Sequence, residues 1–206
     1  MALELRKLAA GERPNLSKEQ AGVKKFNLGL SWDEKDGIKT DLDLSVLVLG
    51  DNEKMIASDS MLFFNSPKNS QGKPHLYNGG LEHSGDERTG AAEGDDETIV
   101  IDLSKLPSNA KILLAVATIY DEAFLKGTST QQITFGRTKN AMVKLYNGET
   151  KQALYQFDLT EDSSRGTAVE VARIYLKDGE WRFTTLGDVV GTSANGLEDI
   201  VKKYNP

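Results

Sequence analysis

The segment Gly85–Glu97, GDERTGAAEGDDE, holds six carboxylates, three glycines and one arginine in thirteen residues, with no large apolar side chain among them. Oxygens in this density suit a hard cation. Calcium takes about six to eight oxygens from carboxylates, carbonyls and amides, whereas magnesium asks for a stricter octahedron with several retained waters. A loop aims several oxygens at one point only if its backbone bends inward, and Gly85, Gly90 and Gly94 supply that bend through readily adopted positive φ. Asp95, Asp96 and Glu97 are consecutive and do not all face one point. They serve two neighbouring ions, or one ion and the flanking structure. The spacing is not that of an EF-hand. On residue chemistry alone, a calcium loop and a solvated charge run are equally good readings.

A second pair of acids opens the run DLDLSVLVL, Asp41–Leu49. Strand side chains alternate faces, so Leu42, Leu44, Val46 and Val48 form an apolar face for the core. Asp41 and Asp43 then share the other face, roughly 7 Å apart at two residue rises. That separation is wide for a shared grip on one ion but suits two carboxylates lining an acidic groove. An ordinary half-buried strand with a polar outer face fits the same residues.

Charge is concentrated around these acids. Residues 33–102 carry sixteen of the thirty-one acids and six of the twenty-five Lys and Arg, a balance of −10, which leaves +4 for the remainder of the net −6. Such a field draws cations and predicts that nucleic acid and anionic lipid stay away from that face when divalent ions are absent. No cysteine is present and the histidines are His75 and His83, which excludes thiolate sites and disfavours a multi-histidine transition-metal site. The opening MALELRKLAAGERP lacks the apolar core of a signal peptide, and the longest apolar run, Ile112–Tyr120, is half a bilayer span. The expectation is a soluble cytoplasmic protein that spans no membrane.

The elements that must position the acids read as strands. Val23–Trp32, Asp41–Leu49, Ser60–Phe64, Thr98–Leu103, Lys111–Tyr120, Asn140–Asn147, Gln152–Leu159, Thr167–Lys177 and Glu180–Leu186 are rich in β-branched and aromatic residues. Asn147-Gly148 and Asp178-Gly179 signal tight hairpins. Short strands at this spacing, without recurring helices, predict an all-β, antiparallel two-sheet β-sandwich in a single domain over residues 1–206. Short helical pieces are expected at Asp102–Pro107 and, C-terminally, Gly196–Tyr204. The long polar stretch Asn65–Gly80 has the composition of a functional loop. Trp32 and Trp181 read as core residues, and His83 as a hydrogen-bonding partner for the loop it precedes. No nucleophile elbow, P-loop, dinucleotide fingerprint or His-Glu-x-x-His motif occurs, so no enzyme is expected.

The run from Glu82 to Leu103, EHSGDERTGAAEGDDETIVIDL, resembles the signature of the tellurium-resistance TerD family. GLSWD (Gly29–Asp33), DLDLSVLVL and DSMLFFN (Asp59–Asn65) fall in the family's order, and the pattern of its second half follows from Tyr120 to Phe183. The resemblance covers most of the chain. It implies two packed antiparallel sheets with one or two calcium ions in an acidic groove at one edge. Asp41, Asp43, Asn65, Asp86, Asp95, Asp96 and Glu97 are the ligand positions it marks, and Glu93 stands where the family has an aspartate. It also implies a stress-response protein linked to tellurite and other chemical stress and to phage resistance. Such a protein works with partners, including other tellurium-resistance proteins at the inner membrane, through ion-dependent binding. The chain departs from the pattern at Glu87, Ala91, Ala92 and Glu93, which predicts either one strong site or two of unequal affinity. An interaction module stapled by calcium, and a metal-dependent hydrolase using the same groove, are the competing functional readings.

Overall fold

Which face of a strand is buried follows from its alternation, and most of the chain obeys that period. The computed structural model describes residues 5–9, 11–91, 93–162, 165–191 and 196–206. In chain order the first strands are β1 (Arg6–Lys7), β2 (Lys25–Asp33), β3 (Leu42–Leu49) and β4 (Met61–Leu62). Then come β5 (His75–Leu76), β6 (Leu81–His83), β7 (Glu97–Asp102) and β8 (Ile112–Ile119). The last are β9 (Lys139–Asn147), β10 (Ala153–Asp158), β11 (Ala168–Lys177) and β12 (Glu180–Gly191). Helices are short: α1 (Leu16–Glu19), α2 (Glu122–Leu125), α3 (Leu159–Asp162) and α4 (Gly196–Tyr204). None is long and apolar enough to cross a membrane.

The strands form a seven-stranded sheet, β1-β10-β9-β2-β7-β6-β5, and a five-stranded sheet, β12-β11-β8-β3-β4. The expected sandwich is present, with one exception to its antiparallel rule among the described residues. Arg6 and Lys7 pair in parallel with Tyr155 and Gln156 of β10, an edge contact too short to carry a sequence signal. The principal core lies between the sheets. Phe26, Leu28, Leu30 and Trp32 of β2 and Ile99 and Ile101 of β7 pack there with Leu42, Leu44, Val46 and Val48 of β3.

The outer face of β3 corrects the simple alternation. Leu47 and Leu49 are as buried as their neighbours, because Ile200 and Tyr204 of α4 cover them, together with Leu114, Val116 and Ala168. A buried Glu170 accepts hydrogen bonds from Lys203 Nζ (2.5 Å) and Tyr204 Oη (2.7 Å), pinning the helix by a charged partner as well as by apolar area. Gly196 starts α4 where a Cβ would come within 2.5 Å of Ala168, so the close approach needs glycine.

Several local expectations change. Asp102–Pro107 holds only a single 3-10 turn, Leu103–Lys105, whose entry Asp102 caps by accepting from the Ser104 amide. The single turns α1, α2 and α3, and the two- and three-residue strands β1, β5 and β6, are too short for a periodicity. Asp178-Gly179 does form the tight hairpin between β11 and β12, both residues at positive φ (54° and 76°). Asn147-Gly148 does not: the Asn147 side chain accepts from the Glu149 and Thr150 amides, and the positive φ falls on Lys151.

Candidate metal centre

The acids meet at one end of the sandwich, where the start of β3 faces the loop between β6 and β7. Asp41 immediately precedes β3, and its carbonyl accepts from the Tyr120 amide beyond β8. Asp43 pairs across to Thr118 of β8. Asp86 comes from the loop. One carboxylate oxygen from each of Asp41, Asp43 and Asp86 lies within 4.8 Å of the others. The two-rise separation along the strand is therefore closed by side-chain reach, which the backbone spacing alone did not suggest.

Burial makes this convergence costly. Asp43 is only 6% exposed and accepts no hydrogen bond from any described residue. Burial first, then the charges of Glu97, Asp41 and Asp86, push its carboxyl up to about 8 from 3.8. Asp41 is also raised by burial, an effect the Arg88 guanidinium partly offsets through Nε, 3.3 Å from Oδ2. Its other oxygen, Oδ1, is buried without a partner. Three carboxylates this close, one of them with a buried oxygen that has no partner, are a donor set that a divalent cation would satisfy.

A clamp behind the cluster fixes its geometry. Glu97 is fully buried, and Oε2 accepts from the Leu44 amide (2.7 Å) while Oε1 accepts from the Glu87 amide (3.4 Å). His83, equally buried, accepts from the Gly85 amide at Nδ1 (3.0 Å), which leaves Nε2–H to donate to the Leu44 carbonyl (3.0 Å). Glu97 and His83 thus tie β3 beside Asp43 to the loop carrying Asp86. Trp32 ties the far end of that loop. Its indole Nε1 donates to the Thr40 carbonyl, and Gly90, at φ 59°, sits where a Cβ would come within 2.5 Å of the indole.

None of the other candidate acids joins this cluster among the described residues. Asp95 Oδ1 is 3.2 Å from Lys144 Nζ, and its carboxylate lies over Gly29 on the outer face of the larger sheet. Beside it the Tyr146 phenol is raised by burial and by its bond to Asp95. Asp96 Oδ2 accepts from the Trp32 amide (2.9 Å). Glu93 and Asn65 are exposed, and it is Phe64, next to Asn65, that lines the groove over Asp41, Asp43 and Asp86. Arg88, Tyr120 and Glu122 line the same groove. None of these three stands among the candidate ligands read from the sequence. The signal available for Arg88 was its position as the single base among the six acids of the loop. Tyr120 and Glu122 gave none, since only the pairing of β8 with β3 brings them to Asp41.

Comparison with known proteins agrees with this architecture. The chain is 36% identical over 183 residues to General stress protein 16U of Bacillus subtilis, spanning 87% of this chain and 88% of that one. It is 32% identical over 199 residues to Tellurium resistance protein TerD of Serratia marcescens, spanning 96% and 95%. A crystal structure of a homologue of telluride resistance protein (TerD), SCO6318 from Streptomyces coelicolor A3(2), superposes with a TM-score of 0.66. It is 19% identical and covers 90% of this chain and 100% of its own, so it bears on the fold alone. The TerD domain model matches residues 1–204, almost the length over which the two sheets and α4 are laid out. Signature, fold and relatives therefore agree that the chain belongs to the TerD family.

Proposed function

We propose that this chain is a calcium-binding protein of the stress response, related to tellurium resistance, that acts by ion-dependent binding and not by turnover. The observation that carries the reading is the buried, unpartnered Asp43 carboxylate converging with Asp41 and Asp86 within 4.8 Å. A cluster of this kind is stabilised by a cation and strained without one. Relatives named for general stress and for tellurium resistance support the physiological half of the reading. Asp95 and Asp96 are held by Lys144 and Trp32, which favours one strong ion over two. Calcium fits better than magnesium because it accepts several carboxylates, mono- or bidentate, whereas magnesium keeps most of its waters and takes one or two. The bound ion then alters the loop Gly85–Glu97 and so the surface offered to partners, among them other tellurium-resistance proteins at the inner membrane.

Calorimetric titration of chelator-treated protein with calcium and with magnesium tests this directly. The expected result is one saturable calcium site, absent in Asp86→Asn, with magnesium binding much weaker. Calcium should raise the melting temperature as well, by the equivalent of about 2.7 kcal/mol at a hundredfold excess over Kd. If millimolar calcium releases no heat and leaves the melting curve unmoved, the cluster is a charge run and the ion reading fails.

A further inference from the structure

The ion cluster opens on one side into a longer groove. A cavity of about 290 Å³ lies over Asp41, Asp43 and Asp86, and a second of about 520 Å³ runs from it past Lys39 and Thr40 towards Ile133. Asp41, Arg88, Tyr120 and Glu122 are common to both walls. From this geometry we propose that the groove binds a small phosphate-type oxyanion. One of its oxygens completes the coordination of the ion, and the others pair with Arg88 and Lys39. The proposal rests on the ion reading above and extends it.

Coordination leaves room for such a ligand. Three carboxylates, each mono- or bidentate, give between about three and six of the oxygens calcium takes. They come from the protein side, so the remaining positions point into the groove. The groove wall also has an unfilled polar group of its own. Thr40 is 0% exposed and lines the larger cavity; its carbonyl is used by Trp32, but its Oγ1 has no partner. A buried hydroxyl left without a partner is costly, so the protein does not satisfy this part of the groove wall by itself.

The cations along the groove have capacity to spare. Arg88 is engaged through Nε alone, so the two terminal nitrogens of its guanidinium remain for a planar or tetrahedral oxyanion. Lys39 is exposed and joins no ion pair among the described residues. The neighbouring acids are already engaged. Both oxygens of Asp121 accept backbone amides, from Phe124 and Ile133, and Glu122 pairs with Lys126 at 2.8 Å. Tyr120, 43% exposed, offers a ring against which an organic substituent of the ligand can rest. Without the ion, Asp41, Asp43 and Asp86 repel any anion from this groove. A divalent ion cancels two of those three charges, and Arg88 and Lys39 then face the groove as its cations. Binding is therefore conditional on the cation, which separates it from casual attraction of an anion to surface lysines.

A soluble phosphomonoester and a phospholipid headgroup share this chemistry, and two arms of one experiment distinguish them. Calcium-loaded and chelated protein are titrated calorimetrically with inorganic phosphate and glycerol 3-phosphate, at calcium concentrations below precipitation. In parallel, the protein is sedimented with phosphatidylglycerol and with phosphatidylcholine vesicles. The expected result is binding in at least one arm that requires calcium and weakens about tenfold or more in Arg88→Gln and in Lys39→Gln. Lys177→Gln, at the opposite end of the five-stranded sheet, leaves it unchanged. Sedimentation with phosphatidylglycerol alone identifies the headgroup, and heat with the soluble esters alone identifies a metabolite. Anion binding without calcium, binding indifferent to both Arg88 and Lys39, or calcium uptake with no anion in either arm overturns the proposal. Failure to take up calcium at all removes the ion reading, and this proposal with it.

Discussion

Asp43→Asn should make the chelated protein more stable at alkaline pH and abolish its response to calcium. The reasoning starts from the Asp43 carboxyl, pushed up to about 8 from 3.8 by burial and by Glu97, Asp41 and Asp86. Between those two values the folded protein holds a proton that the unfolded chain has already lost. Stability therefore falls as pH rises through this window, by ~1.4 kcal/mol per unit for one proton. A shift of about four units sets a ceiling near 6 kcal/mol, a large part of the ~5–15 kcal/mol that holds a domain together. Asparagine has the same shape and no charge, so it removes the penalty above pH 8 and changes little below pH 4. Calcium, by contrast, needs the carboxylate. In the parent protein its binding at neutral pH should expel close to one proton, and affinity should rise with pH up to about 8. The assay is urea unfolding in chelator at unit steps from pH 5 to 9, for parent and variant, with and without calcium. A parent whose midpoint is flat across that range, or a chelated Asp43→Asn less stable than the parent at pH 9, would refute the argument that burial and like charge strain this site.

Three further outcomes are expected. Gly90→Ala must hold φ near 59° and force a Cβ against the Trp32 indole, so it should cost about 2–4 kcal/mol in thermal unfolding and weaken calcium binding as well. Asp95→Asn loses a partner of Lys144 on the outer sheet face, not a group of the cluster; its calcium affinity should stay within about threefold of the parent, measured by calorimetry. Tyr204→Phe removes one of the two hydrogen bonds that α4 makes to buried Glu170, and should lower stability by about 1–3 kcal/mol with the calcium isotherm unchanged.

Much of the fold was legible because burial follows period. The strands β2, β3, β8, β9, β11 and β12 announce themselves by apolar and β-branched runs, and α4 falls on the residues expected of it. What the period could not show is which second layer covers a strand. Leu47 and Leu49 look like the outer side of a half-buried strand until Ile200 and Tyr204 are laid over them from about 150 residues away. The short edge pairings of β1, β5 and β6 are made by a few residues each and rest on neighbours, not on any preference of their own.

The site divides along the same line. The loop Gly85–Glu97 was recognisable as a donor-rich segment from composition, and Asp41 and Asp43 as its natural counterpart. Composition could not assign each acid its task, because consecutive residues diverge once the backbone is fixed. Asp95 turns to Lys144 on the outer face, Asp96 to the Trp32 amide, and Glu97 inward to the Leu44 amide. Glu97, buried and holding two backbone amides, organises the strand that carries Asp43 instead of joining Asp41 and Asp86 in their cluster. The densest run of acids in the chain thus turns its last three members to Lys144 and to backbone amides, and it is the more scattered Asp41, Asp43 and Asp86 whose oxygens converge. In an acidic loop, the groups available to a cation are those the fold has failed to satisfy, and only the hydrogen-bond network reveals which they are.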